Sequence, residues 1–331
     1  MFLEGVTYGA DPEFFLIDTR HMCGRIFTQT TGEKGKPEFI PYTHEPERHF
    51  GLLRDGVCGE LNVEPSPHSY DLWRSVNIAF RQLSRRDDIT QGHHVLSAND
   101  LATFDKEELA KLGDEADIIG CAVDYDAYDD DPSKERDLSY IKKAYTKGTR
   151  FAGGHIHLGY PPNDIPKFVV AKLLDLFCSG YRAYEYRSNR ADYYGLPGLY
   201  RPTDYGIEYR TPGNRWIRDE NAARPLFNGA TAVAWILQNP DLVKTIWTNV
   251  DWQALRLGYN SGRVGKWMLI DYPTAVCEGI EGMNQVVDIL NEPFGEDRPA
   301  DALERLRFIA GEGAPPVEAE DWVDDDNGLP E

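Results

Sequence analysis

The chain has 331 residues, 41% of them hydrophobic and 12% aromatic, enough apolar material for one large core or two modest ones. A formal charge of −20 argues against sequence-independent nucleic-acid binding, which rests on cationic contacts to phosphate. No apolar run approaches the roughly 18 to 20 residues of a membrane span, and Met1-Phe2-Leu3-Glu4-Gly5 lacks the basic-then-apolar order of a signal peptide, so a cytoplasmic, membrane-free protein is the expectation.

In chain order, Thr7 to Asp18 reads as a strand with alternating polar positions, and Gly51 to Val63 as an Asp55-Gly56 turn followed by a second strand. A Gly-, Lys- and Pro-rich loop separates them. Ser69 to Arg86 carries Leu72, Val76, Ala79, Phe80 and Leu83 on one helical stripe. Asp105 to Leu112 suggests a short helix and Tyr140 to Thr149 a connection. Arg150 to Gly159 reads as a strand in which Gly153-Gly154 permits a bulge or the close approach of a ligand. Asp164 is placed to cap a helix running to about Arg187, with Pro166 in its first turn. Asn189 to Tyr205 reads as a loop, Gly206 to Pro212 as a fourth strand and Asp219 to Gln238 as an alanine-rich helix. Helices are also expected near Asp241 to Trp252, Gly282 to Leu290 and Ala300 to Ile309. With no internal repeat and no linker, residues 1–312 form a single domain, followed by an acidic, disordered tail at 313–331.

Charge is unevenly spread. The last nineteen residues hold seven acids and no Lys or Arg, and Asp124 to Asp131 holds five Asp in eight residues. Neither has the alternation, glycine and closing Glu of an EF-hand loop, so both read as solvated segments. Between Leu173 and Val243 stand eight arginines and no lysine. Most would pair with acids such as Glu185 and Asp219, leaving Arg201, Arg210 and Arg215 as anion-binding candidates, because the guanidinium makes bidentate contacts with phosphate. Five cysteines without CxxC spacing read as reduced core residues.

Four segments place chemistry-capable side chains two residues apart: Asp11 and Glu13, Glu60 and Asn62 with Glu64, His155 and His157, Glu208 and Arg210. On a strand such positions share a face. Their alternate neighbours are apolar, and charges on buried segments need a metal or a counter-charge. Two histidines and a distant carboxylate suit a zinc hydrolase. The number of carboxylates suits Mg²⁺ or Mn²⁺ and phosphate chemistry. There is no GxxxxGK[ST] loop and no GxGxxG after the first strand, so metals and arginines would have to hold the phosphates.

Gly9-Ala10-Asp11-Pro12-Glu13-Phe14, Glu60-Leu61-Asn62, Gly154-His155-Ile156-His157 and Glu208-Tyr209-Arg210 after Arg201 resemble, in this order, the glutamine synthetase and glutamate-cysteine ligase superfamily, nearest its phage-type COOH-NH2 ligases of type 2. The resemblance covers about residues 5 to 240. It implies an α+β, glutamine synthetase-like fold: a curved antiparallel β-sheet funnel flanked by helices, working in the cytoplasm of a phage-infected host cell. It also implies ATP and two Mg²⁺ or Mn²⁺ ions, with Glu13, Glu60 and Glu64 holding one and Asp11, His155 and Glu208 the other. Arg201 and Arg210 would lie near the transferred phosphoryl group, with Arg215 and His157 in nucleotide- or substrate-binding roles. The implied reaction joins a small-molecule or peptide carboxylate to an amine through an acyl phosphate. Asp124 or Asp126 is the candidate base for the amine. The alternatives are a phosphotransferase on the same site, the zinc hydrolase, and a non-catalytic binding module. Substrate identity and homo-oligomeric state stay open.

Overall fold

The computed structural model describes residues 3–117, 124–137, 139, 141, 145–184, 194–260, 276–277, 280–292 and 294. The architecture is mixed: two curled antiparallel sheets with helices packed behind them. The first sheet contains β1 (Thr7–Ala10), β9 (Tyr125–Asp126), β11 (Ile156–Gly159), β12 (Leu199–Thr203) and β13 (Gly206–Tyr209), in the order β1-β11-β13-β12-β9. The second contains β2 (Glu13–Asp18), β3 (Cys23–Arg25), β4 (Glu38–Tyr42), β5 (Glu45–Asp55) and β6 (Cys58–Asn62), in the order β3-β2-β6-β5-β4, with β7 (His94–Ser97) also pairing with β2. A two-stranded ribbon joins β8 (Leu101–Thr103) to β10 (Thr149–Phe151).

Period-two alternation decides which side of each sheet faces helix. In the first sheet, Tyr8, Ala10, Ile156, Leu158, Ile207 and Tyr209 are buried. Tyr8 Oη donates to Thr231 Oγ1 at 2.9 Å, and Tyr209 Oη donates to Asp175 Oδ1 at 2.7 Å. These contacts tie the sheet to the helices Glu220–Ile236 and Lys167–Cys178. In the second sheet, Phe14 packs edge-on against Phe27 and Phe80, at 5.2 and 5.6 Å between ring centroids. Phe80 belongs to the helix Ser69–Leu83, whose expected stripe Leu72, Val76, Ala79, Phe80 and Leu83 is fully buried. The opposite face of the first sheet is polar, whereas that of the second is shared between Glu13, Asp55 and Glu60 and a smaller apolar cluster that includes Phe15, Cys58 and Phe104.

Several expectations are corrected. Thr7 to Asp18 is two strands in two sheets, because Pro12 has no N–H to continue the ladder and the chain turns at Asp11-Pro12. Arg150 to Gly159 divides likewise into β10 and β11, and the expected loops hide β3, β4 and β12. Pro166, not Asp164, stands at the N-cap of the helix Lys167–Cys178, which tightens into a 3₁₀ turn at Ser179–Tyr184. Asp219 and Asn239 do cap the helices Glu220–Ile236 and Pro240–Asn249 through their side chains. The helix expected near Gly282 to Leu290 is Asn284–Asn291. The expected helix at 300–309, the acidic tail and Cys121 lie outside the described residues. The other four cysteines are buried, and no described helix is long and apolar enough to cross a membrane.

The sheets meet at a seam built from backbone. The Glu13 N–H donates to Gly153 O at 2.9 Å, and the Leu61 N–H donates to Pro12 O at 3.0 Å. Asn214 Nδ2 donates to Glu13 O at 2.8 Å, and Trp216 Nε1 donates to Gly154 O at 3.0 Å. Gly154 is required by close approach: a Cβ there would stand 2.1 Å from Gly213 O. What closes on Gly153-Gly154 is therefore backbone and the His155 ring. Gly154→Ala is expected to destabilise the protein by about 3 kcal/mol or more, read as the shift in its urea midpoint.

Candidate functional site

Register lines up one transverse row on the polar face of the first sheet. Gly9 pairs with His157, His157 with Glu208, and Glu208 with Arg201. In the second sheet Glu13 pairs with Glu60, and Glu60 with Leu53. The β5–β6 turn, with Gly56 at φ +58, sets Asp55 opposite Cys58, on the same face as Glu60.

Two groups of donors result, each with one ligand atom per residue and those atoms all within 4.8 Å of one another. The first is Glu13, Asp55 and Glu60, and the second is Asp11, His157 and Glu208. The Asp11-Pro12 corner between the sheets makes the groups adjoin. Glu13 Oε2 accepts from the Gly153 N–H at 2.6 Å. His157 Nε2 lies 3.1 Å from Asp11 Oδ1, and its Nδ1 contacts Tyr205 Oη. Tyr205 stacks on the imidazole at 6.0 Å between centroids.

The groups differ electrostatically. Burial, followed by the Asp55 and Asp11 charges, pushes the Glu13 carboxyl up to about 8 against the opposing Gly153 N–H. Burial, with Asp11, Glu13 and Asp55, raises Glu60 well above its ordinary value. The second group has its own cations. Burial opposes ionisation of Glu208, yet His155 and Arg210 keep its pKa below the ordinary value. Asp11 is likewise held low by His157 against burial, and His157 is raised by Asp11 against burial.

Several expected roles change. Glu64 is exposed beyond the end of β6 and belongs to neither group, while Asp55 supplies the third carboxylate. His157, expected in a nucleotide- or substrate-binding role, is the imidazole of the second group. His155 precedes β11, and its Nδ1 lies 3.3 Å from Glu208 Oε1 and 3.9 Å from Asp11 Oδ1 while its Nε2 contacts Tyr194 Oη at 2.7 Å, so it adjoins the second group without being one of its three donors. Arg210 is 2% exposed and is held by Glu208 at 2.7 Å, Asp124 at 3.2 Å and Tyr194 at 3.1 Å, which makes it a buried counter-ion. Arg215 pairs with Asp219 at 3.2 Å. Arg201 also pairs with Glu208, but its side chain is 36% exposed and so remains within reach of a ligand.

Asp124 is fully buried between Arg210 and Arg136, and Asp126 is paired with Arg256 at 2.6 Å, so the expected bases are structural counter-ions. Burial raises Asp124 to about 6 against both arginines. Sequence reasoning missed Asp55, Tyr194 and Tyr205. The hairpin register after Asp55-Gly56 was the available signal for the first.

The raised carboxyls give stability a definite pH dependence. Glu13 takes its proton at about 8 in the folded chain against an ordinary value of 4.5, so the folded state holds more protons across that window. The melting temperature of ion-free protein is expected to fall as pH rises from about 4.5 to 8 and then to level. Thermal denaturation across the range measures the fall.

No protein-family model matches the chain, and no curated protein matches it.

Proposed function

We propose that the chain is an ATP-dependent carboxylate-amine ligase with a glutamine synthetase-like fold, acting with two divalent metal ions. One observation carries the reading: acids from four strands and the corner between two sheets converge as two adjoining donor groups, with Arg201 reaching in from the rim. The donor set is five carboxylates and one imidazole, which suits hard cations such as Mg²⁺ or Mn²⁺ better than zinc. Burial and then the neighbouring acids raise Glu13 and Glu60, and a bound cation would offset both.

On this reading Glu13, Asp55 and Glu60 hold one ion, and Asp11, His157 and Glu208 hold the other. The ions would neutralise phosphate charge and polarise the phosphoryl group. The chain supplies the rest. Arg201 offers a guanidinium to the transferred phosphoryl group, which passes to a carboxylate oxygen. An amine nitrogen then attacks the acyl carbon and phosphate leaves, giving the amide, ADP and phosphate. Arg210 and His155 keep Glu208 ionised and aimed, and the Gly153 N–H fixes the Glu13 carboxylate.

The test is release of ADP and phosphate from ATP with Mg²⁺ or Mn²⁺, with and without pooled carboxylates and amines, using Glu60→Gln as control. Pool-stimulated, variant-sensitive release supports the ligase. Release that needs no amine and leaves a phosphorylated acceptor would make the protein a phosphotransferase, and no release from a protein holding tight zinc would favour the hydrolase. Arg201→Lys is expected to cut turnover on the order of tenfold or more by losing the planar fork. Because Arg201 is half-exposed, stability should change by less than about 1 kcal/mol.

A further inference from the structure

The loop before β4 brings a lysine to the first acid group. Glu38 pins the loop by accepting from Thr30 Oγ1 at 2.9 Å and from the Thr31 N–H at 2.7 Å. The Arg54 N–H donates to Gly32 O at 3.1 Å, and a Cβ on Gly32 would stand 2.0 Å from Leu52 O, so the loop lies flat on β5. Its tip is a turn closed by paired bonds between Glu33 and Lys36, with Gly35 at φ +78. At that tip Lys34 Nζ lies 3.1 Å from Asp55 Oδ2. Asp55 is 15% exposed and shares a donor group with Glu13 and Glu60, whereas the Lys34 side chain is 67% exposed.

We propose that Lys34 is the resident cation of the Glu13, Asp55 and Glu60 group, displaced when a divalent ion binds and then free to hold a polyphosphate anion bound to that ion. The inference rests on the metal-binding reading of the same group. Ionising three carboxyl groups whose ligand atoms lie within 4.8 Å of one another is mutually unfavourable, and an ammonium beside one of them offsets part of that cost. A divalent ion needs the same oxygens and excludes the ammonium by charge. The lysine's flexible stem lets the head swing while the pinned loop stays in place. Lys34 would thus oppose the bare ion and favour the ion with its anion, a coupling between two ligands carried by one side chain.

The experiment is Mn²⁺ titration of the full chain, with and without tripolyphosphate, for wild type, Lys34→Met and Glu60→Gln. For bare Mn²⁺, Lys34→Met should bind at least roughly threefold more tightly than wild type, since it lacks the competing cation. Tripolyphosphate should tighten Mn²⁺ binding to wild type and do so several-fold less in Lys34→Met. Unchanged or weaker Mn²⁺ binding by Lys34→Met, with Glu60→Gln still abolishing binding, overturns the lysine's role and leaves the metal site standing. Wild-type binding that Glu60→Gln does not alter, or no binding by any form, overturns both.

Discussion

Glu60→Gln is expected to lower metal-dependent ATP turnover at least about a hundredfold while raising the melting temperature of the ion-free protein. The two effects have opposite signs for one reason. Glu60 faces Asp11, Glu13 and Asp55 with burial already against its charge, so its carboxylate is costly when no cation is present. An amide of the same shape removes the repulsion and also removes a donor. Mg²⁺ should therefore raise the melting temperature of wild type and leave that of Glu60→Gln nearly unchanged. A variant that is less stable without the ion, or one that keeps full turnover, would refute the assignment of the first group. Measuring turnover and melting on the same preparation separates loss of the site from loss of the fold.

Arg210→Met is expected to destabilise the protein by about 3 to 5 kcal/mol, the usual cost of leaving buried charge without its partner. Glu208 and Asp124 are both completely buried and both lean on this guanidinium, and Tyr194 Oη accepts a third bond from it at 3.1 Å. Burial holds Asp124 at about 6 even with its two arginines beside it, so removing Arg210 should push it higher and leave it protonated at neutral pH. Chemical denaturation at pH 7 measures the loss. A change below about 1 kcal/mol would mean that Arg210 is not the counter-ion described, and its place as a ligand-facing arginine would be restored. Arg201→Lys makes the contrast, because the rim arginine should cost turnover and spare stability.

Local chemistry made much of this molecule legible before any coordinates. The stripe Leu72, Val76, Ala79, Phe80, Leu83 fixes both a helix and its buried side, because a 3.6-residue period admits one apolar face. The i, i+2 spacing of Glu208 and Arg210 and the apolar residues between the polar pairs marked strands with one chemical face. Asp11, Glu13, Glu60, His157 and Glu208 were singled out by type and context alone, and all five lie in the two groups. The resemblance already set Asp11 and Glu208 apart from Glu13 and Glu60, as the two groups have them; what the sequence left undetermined is the third member of each group and the reason for the division. Pro12 sends Asp11 and Glu13 into different groups, His155 stands before β11 with its Nε2 on Tyr194, and the hairpin register brings in Asp55 while Glu64 falls outside. Exposure, too, was decided only by the fold, which buried Arg210 as a counter-ion and left Arg201 at the rim. Periodicity acts between neighbours in the chain, whereas register, corner and burial depend on which distant strands meet. Residue type and secondary structure were therefore readable from sequence, and the assignment of each charge to ligand or counter-ion belongs to the tertiary structure.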